Sequence, residues 1–307
     1  MPESKVLRKV KTSVTGAEMT VEETIDGLRS LFLDKHTQSE IKVTRKDDDT
    51  EVLAKLEPLE LVQVMSVVTL AWLGGGTSGT VVETPSVLLI GVGGGSIANV
   101  LLAAMPEGAR LHLVELEPEV LQAAVDFFGV QMVAPRCTGE AADGAAIMRE
   151  HAAKCRTARA TGGVAPGYDV LLLDAFTKDG LAESTRQKQT LDDAAACLSD
   201  AGMLIVNLHT GDADDPDYKV ARSVLRSLAV RFDSVYSILC STTLNLIAVC
   251  HQGDFLDADG WEARMRSQLK RPEVAAACNL NLEKTLERLD FVGGKDHKVM
   301  KNVGLWR

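Results

Sequence analysis

The sequence predicts an α/β protein built on a seven-stranded, doubly wound sheet, mostly parallel with its last strand antiparallel, and flanked by N- and C-terminal extensions. Three observations predict it. From Ser86 onward, short apolar runs alternate with helical segments, the rhythm of a parallel sheet with right-handed crossovers. The first run ends in Gly91-Val92-Gly93-Gly94-Gly95-Ser96 and a helix opens at once. The last two runs are joined only by Cys240 to Thr243, a link that fits an antiparallel pair, since parallel neighbours need a crossover of about a dozen residues.

Taken in order, residues 1–56 are polar and mixed and read as an N-terminal extension. Within them Thr20 to Leu33 has a helical pattern: Thr20 and Glu23 resemble a capping box, and Ile25, Leu28, Leu31 and Phe32 share a face. Leu59 to Leu73 is expected to be a buried helix ended by Gly74-Gly75-Gly76, with Gly74 to Gly79 a flexible loop. Val87 to Ile90 is the first strand, Ile97 to Ala104 a helix, and Leu111 to Val114 the second strand. Pro118 to Phe128 is a helix with proline in its first turn. A third strand is expected within Gln131 to Cys137, then a helix over Glu140 to Lys154, and a fourth strand over Tyr168 to Leu173. A helix over Leu191 to Leu198 precedes the fifth strand, Met203 to Leu208, and Asp217 to Arg231 is the next helix. Ser234 to Leu239 and Leu244 to Cys250 close the sheet. The domain assignment is therefore 1–56, 57–256 and 257–307, the last read as helices with a basic tail.

Composition narrows the function classes. Hydrophobic residues make up 46% of the chain and aromatics only 4%, which suits buried Val- and Leu-rich strands. A net charge of −10 offers no general positive field, so nucleic acid is not expected as the main partner. Six scattered cysteines without a CxxC pair read as reduced, buried thiols, and the histidines have no metal-ligand spacing. Lys5, Arg8, Lys9 and Lys11 are followed by no apolar run, so no signal peptide is expected. The longest apolar stretch, Leu61 to Leu73, is shorter than the ~20 residues a bilayer span needs. A cytoplasmic location is the expectation.

The chemistry concentrates at the carboxyl ends of the expected strands. Glycines at 91–95 let the backbone turn and bring N–H groups close to a ligand, beside a helix N-terminus that favours a carboxylate or phosphate. Glu115 ends the next strand, 24 residues after Gly91, where a carboxylate can accept both hydroxyls of an adenosine ribose, with Leu116 beside it. The sixth position of the turn is Ser96 and not the Gly or Ala usual for a nicotinamide site. Together with the two closing strands, this favours S-adenosylmethionine. Asp143-Gly144 reads either as a helix cap or as an acceptor for the adenine amino group. Asp174 ends the fourth strand, where it can bind the cofactor's ammonium or orient and deprotonate an amine; Asp179 shares its loop. Asn207-Leu208-His209 forms the neighbouring lip, with His209 read as a base or as a solvated side chain.

These residues resemble the spermidine-synthase-like branch of class I S-adenosylmethionine-dependent methyltransferases, over about residues 57–256. The resemblance is carried by Glu83-Thr84-Pro85 leading into Leu89 to Ser96, by Val114-Glu115-Leu116-Glu117-Pro118, Phe127-Phe128-Gly129 and Ala142-Asp143-Gly144, and by Asp174 to Gly180 with Val206-Asn207-Leu208. It is nearest to a branch that methylates a translation elongation factor. It implies a Rossmann-like class I methyltransferase sheet and methyl transfer to an amine, plausible acceptors including a protein such as a translation factor, with S-adenosylhomocysteine as product. The implied cofactor contacts are Gly91, Gly93, Gly94, Gly95, Ser96, Glu115, Leu116, Asp143, Gly144, Asp174 and Gln63, and the implied catalytic residues are Asp174 and Asp179. Aminopropyltransferases that use decarboxylated S-adenosylmethionine share the fold. Their Tyr-Gln pair is here Val62-Gln63, Thr177 stands where their second aspartate is expected, and Thr190 and Leu191 replace their paired tyrosines. Such a transferase is the alternative reading, and a non-catalytic interaction protein on the same fold is a second. The terminal extensions read as substrate-gripping elements or as a homodimer interface.

Overall fold

The structure is a computed structural model, and it describes residues 4–46, 51–53, 59–74, 84–177, 180–211, 214–253 and 255–295. The N-terminal extension is a five-stranded antiparallel sheet, β1 (Ser4–Lys11), β2 (Glu18–Thr24), β3 (Leu28–Leu33), β4 (His36–Arg45) and β5 (Glu51–Leu53), paired in chain order. The expected helix over Thr20 to Leu33 is therefore a hairpin. Met19 and Val21 are buried on β2 and Leu31 on β3, a period of two, while Ile25 of the supposed helical face is 81% exposed. Glu23 closes no capping box; it is buried and paired with Arg29 and Arg45. Gly27, at φ 83, turns the chain between the two strands.

The buried helix α1 (Glu60–Leu73) follows, and Gly74 ends it. The expected loop beyond Gly74 lies outside the described residues. The main sheet then builds through β6 (Ser86–Ile90), α2 (Ser96–Ala104), β7 (Arg110–Glu115), α3 (Pro118–Phe128), β8 (Cys137–Ala141), α4 (Gly144–Ala160) and β9 (Tyr168–Leu173). A small hairpin, β10 (Phe176–Thr177) with β11 (Gly180–Leu181), precedes α5 (Glu183–Arg186), α6 (Lys188–Ala196), β12 (Leu198–His209), α7 (Pro216–Ala229), β13 (Ser234–Leu239) and β14 (Asn245–His251). The third strand starts later than expected. Pro135 has no N–H for a ladder, and Arg136 turns back to donate to the carbonyls of Leu102, Met105, Pro106 and Glu107 at the end of α2.

The C-terminal extension contributes helices α8 (Ala258–Leu269), α9 (Pro272–Ala277) and α10 (Leu282–Leu286), as expected, but also β15 (Leu289–Gly293), an eighth strand. The sheet order is β15-β13-β14-β12-β9-β6-β7-β8. Strands β8, β7, β6, β9 and β12 are parallel, and β14 is antiparallel to both β12 and β13. A core of Val, Leu and Ile fills both faces, under α1, α2, α8 and α9 on one side and α4, α6 and α7 on the other. A third cluster joins the N-terminal sheet to α3 through Met19, Leu31, Val120 and Phe128. All six cysteines are free and buried. Among the described residues, no helix is long and apolar enough to cross a membrane.

Candidate active site

The strand order reverses between β6 and β9: β7 and β8 extend one way from β6, and β12 the other. Ligands of open α/β sheets bind at such a switch point, outside the carboxyl ends of the strands. Here the two ends nearly touch. Gly91 has φ 86, and a Cβ on it would stand 2.3 Å from the Asp174 carbonyl oxygen. Only glycine permits both that backbone conformation and that approach. The Asp174 amide donates to the Ile90 carbonyl at 2.8 Å, and the Gly91 amide to Val114 at 2.9 Å. Gly95, at φ 78, is the N-cap of α2. Turn and helix together form the strand-turn-helix unit expected from the sequence.

The amides of that turn are engaged from within the chain. Glu115 accepts from the Val92 amide at 2.8 Å and the Gly93 amide at 3.2 Å through Oε2, and from the Glu117 amide at 3.2 Å through Oε1. Gly94 donates to the Ser39 hydroxyl at 2.9 Å, and Gly95 to the Val92 carbonyl at 2.8 Å. The expected arrangement, with these amides facing the amino-acid end of a donor and Glu115 the ribose, therefore requires the Glu115 carboxylate to turn away from the glycines. Burial raises the Glu115 pKa above the usual carboxylate range, against the opposing pull of the Val92, Glu117 and Gly93 amides. Leu116, next along, is 38% exposed. Asp143 caps α4 by accepting from the Ala145 amide at 2.9 Å, so its cap reading holds. Gly144 lies against Ile90.

On the other side of the switch point, Asp174 Oδ1 accepts from the Asn207 side-chain amide at 2.8 Å. Asn207, 3% exposed, accepts in turn from the Asn245 side chain at 2.9 Å. Burial pushes the Asp174 carboxyl up to about 7; the Asn207 bond opposes that rise and the Glu115 charge adds to it. His209 pairs with Asp217 of α7 at 2.7 Å. Gln63 sits on α1, 8% exposed, and its Oε1 accepts from the Asn279 amide at 2.9 Å. Asp179 lies outside the described residues. The structure thus brings Gly91, Glu115, Asp174 and Asn207 together, and it sets Gln63 against the C-terminal extension.

Several participants have no counterpart among the expected site residues. Ser39 comes from β4, whose buried face runs Ser39, Ile41, Val43; that alternation was the available signal. A clasp formed by Thr12 to Thr15 holds the β7–α3 turn. Glu117 accepts from the Thr12 hydroxyl at 2.9 Å, the Val14 amide at 3.0 Å, the Thr15 amide at 2.8 Å and the Thr15 hydroxyl, while Glu119 accepts from Ser13. Asn245 is a polar residue at the first position of a closing strand, beside the fifth.

Residues along this edge fit an adenosine-type cofactor. A glycine turn lies at the switch point, one half-buried carboxylate ends the next strand, and a second carboxylate stands across the turn. No family model matches the chain. Over 140 residues it is 29% identical to a polyamine aminopropyltransferase of Vibrio vulnificus, a match covering 45% of this chain and 42% of that protein. Over 213 residues it is 26% identical to the mouse (Mus musculus) eEF1A lysine and N-terminal methyltransferase, covering 67% of this chain and 26% of that protein. The chain thus spans less than half the length of these curated relatives. A probable spermidine synthase from Corynebacterium glutamicum superposes with a TM-score of 0.63 at 14% identity over 88% of each chain. In sequence the chain resembles the spermidine-synthase-like class I methyltransferases, and it has a Rossmann-like fold of the same kind.

Proposed function

We propose that this protein is an S-adenosylmethionine-dependent methyltransferase whose acceptor is an amine, and that the amine belongs to a protein. The observation that carries this reading is Asp174: a carboxyl at the switch point, hydrogen-bonded to Asn207 and poised near neutral pH. A base works best when its pKa lies near the operating pH.

In this reading Gly91, Gly93, Gly94, Gly95 and Ser96 line the donor's amino-acid end, Glu115 takes the ribose, and Leu116, Asp143 and Gly144 border the adenine. Gln63 closes the wall from α1. When bound, the donor supplies an electrophilic methyl group on a sulfonium. Asp174 would accept a hydrogen bond from the acceptor amine, hold the amine's lone pair toward the methyl carbon, and receive the amine's proton as the C–N bond forms and the S–CH3 bond breaks, with S-adenosylhomocysteine as the leaving group. Asp179, five residues further along the chain, is proposed to assist. Little covalent work is left to the chain, because alignment alone can supply ~7–11 kcal/mol of a barrier. A protein acceptor is supported by the similarity to the mouse relative, whose name gives eEF1A as its substrate; a translation factor is accordingly the first acceptor to try.

Aminopropyl transfer from decarboxylated S-adenosylmethionine is the second reading, favoured by the 29% identity to the Vibrio vulnificus enzyme. Calorimetry with both donors separates the two. Tighter binding of S-adenosylmethionine, with labelled methyl transferred to a protein band in cell extract, supports the first reading. A clear preference for the decarboxylated donor reverses the order, and binding of neither leaves a non-catalytic protein on this fold. Asp174→Ala is expected to abolish turnover while donor binding stays measurable; full turnover in that variant removes Asp174 from the mechanism.

A further inference from the structure

Three side chains form a line at the carboxyl edge of the sheet. Asn245 donates its side-chain N–H to Asn207 Oδ1 at 2.9 Å, and Asn207 donates its own N–H to Asp174 Oδ1 at 2.8 Å. A side-chain amide has a donor end and an acceptor end. Asn207 is buried, so whichever end Asn245 claims dictates the end that Asp174 meets. By donating, Asn245 takes the carbonyl and turns the N–H toward the carboxylate.

We propose that Asn245 is a positioning residue for the transfer reaction: it sets the polarity of the Asn207 amide so that Asp174 meets a donor and is held as an accepting carboxylate. The role rests on the reading of Asp174 as the group that takes the amine's proton. Without Asn245, the Asn207 amide is free to rotate by half a turn and present its carbonyl, which bonds only a protonated carboxyl. That exchange favours the neutral acid.

The position of Asn245 is itself fixed. The β13–β14 turn that precedes it is clamped by Glu60, which accepts from the Ser241 amide at 2.6 Å, the Ser241 hydroxyl at 2.9 Å, the Thr242 amide at 3.0 Å and the Thr242 hydroxyl at 3.1 Å. Arg288, from the C-terminal extension, closes the clamp on Glu60 at 2.7 Å. The register adds a second constraint, since Asn245 stands opposite His209, and the Thr210 amide donates to Leu244 at 2.8 Å. Glu115 approaches Asp174 from β7, His209 is engaged with Asp217 of α7, and Glu60 of α1 with Arg288. Among the described residues, none of these supplies a positive charge to the Asp174 carboxyl; the Asn207 N–H opposes its protonation.

The test is a 13C-NMR titration of the Asp174 carboxyl in the full chain, with Asn245→Ala and Asn245→Leu as neutral variants, followed by the pH profile of turnover. Loss of the ordered donor is expected to raise the Asp174 midpoint by about one to two pH units. The acidic limb of the turnover profile should move by the same amount. Turnover near pH 6 then falls by roughly tenfold or more and recovers at high pH, with donor affinity unchanged. Two variants guard against misfolding of either one, and far-UV circular dichroism selects the folded samples. A merely structural role lowers turnover at every pH and leaves the midpoint where it is. A folded variant whose Asp174 titrates as in the wild type overturns the proposal. A midpoint that rises in a protein that transfers no group supports the positioning of Asp174 and overturns the transferase reading alone.

Discussion

The hydroxyl of Ser39 accepts the Gly94 amide at 2.9 Å, across 55 positions of sequence. Both residues are buried, and a Cβ added to Gly94 would stand 2.4 Å from that of Ser39. The N-terminal sheet is thereby seated directly on the turn that forms the switch point, and the Thr12–Thr15 clasp on Glu117 fixes it a second time.

Ser39→Ala is expected to destabilise the protein by about 1–3 kcal/mol, because the Gly94 N–H stays buried and loses its partner. Urea unfolding with an unchanged slope measures it. A variant as stable as the wild type means that water or a shifted backbone satisfies the amide, and that the contact holds nothing in place.

Much of this architecture is legible in the residues. The alternation of apolar runs and helices from Ser86 onward, the glycine turn, Glu115 and Asp174 all stand where the text of the sequence puts them, because buried parallel strands leave an unmistakable apolar signal. The N-terminal sheet is less legible. Its strands are half polar, and Ile25, Leu28, Leu31 and Phe32 fall at helical spacing by chance, while the burial of Met19 and Val21 depends on α3, which lies far along the chain. The Asn245–Asn207–Asp174 line is illegible for a related reason. Nothing in the spacing of three polar residues says that one strand's end will bring them together.

Glu60 makes a prediction about acid stability. Burial works against its ionisation, yet Arg288, the Ser241 hydroxyl and the amides of Thr242 and Ser241 outweigh that and lower its pKa from 4.5 to about 2. A depressed folded-state pKa contributes stability that is complete above the unfolded value and is lost as the pH falls through the folded one. The window here is pH 4.5 down to about 2. Glu60→Gln is expected to lower stability near pH 7 by about 1–2 kcal/mol after allowance for solvent screening. Its melting temperature should converge with that of the wild type as the pH approaches the bottom of the window. A gap of constant size from neutral to acid pH shows that the carboxylate charge is not what holds the β13–β14 turn.

Asp174 predicts the opposite sign. Its folded-state pKa is raised by burial from 3.8 to about 7, against the Asn207 bond and with the help of the Glu115 charge. Between those values the folded protein holds a proton that the unfolded chain has released, so stability falls as the pH rises across that window and levels off above it. Asp174→Asn removes the titrating group and keeps its shape. The variant is expected to match the wild type below pH 3.8, where the Asp174 carboxyl is neutral in the folded and the unfolded chain alike. Above pH 7 it should melt higher by several degrees, because only the wild type then carries a desolvated charge. Proton transfer from an acceptor amine is lost in the same variant, so stability and turnover should move in opposite directions at alkaline pH. A variant that is less stable than the wild type at every pH would mean that Asp174 is held chiefly for the structure of the β9 end, and the case for it as a strained, waiting base would fail.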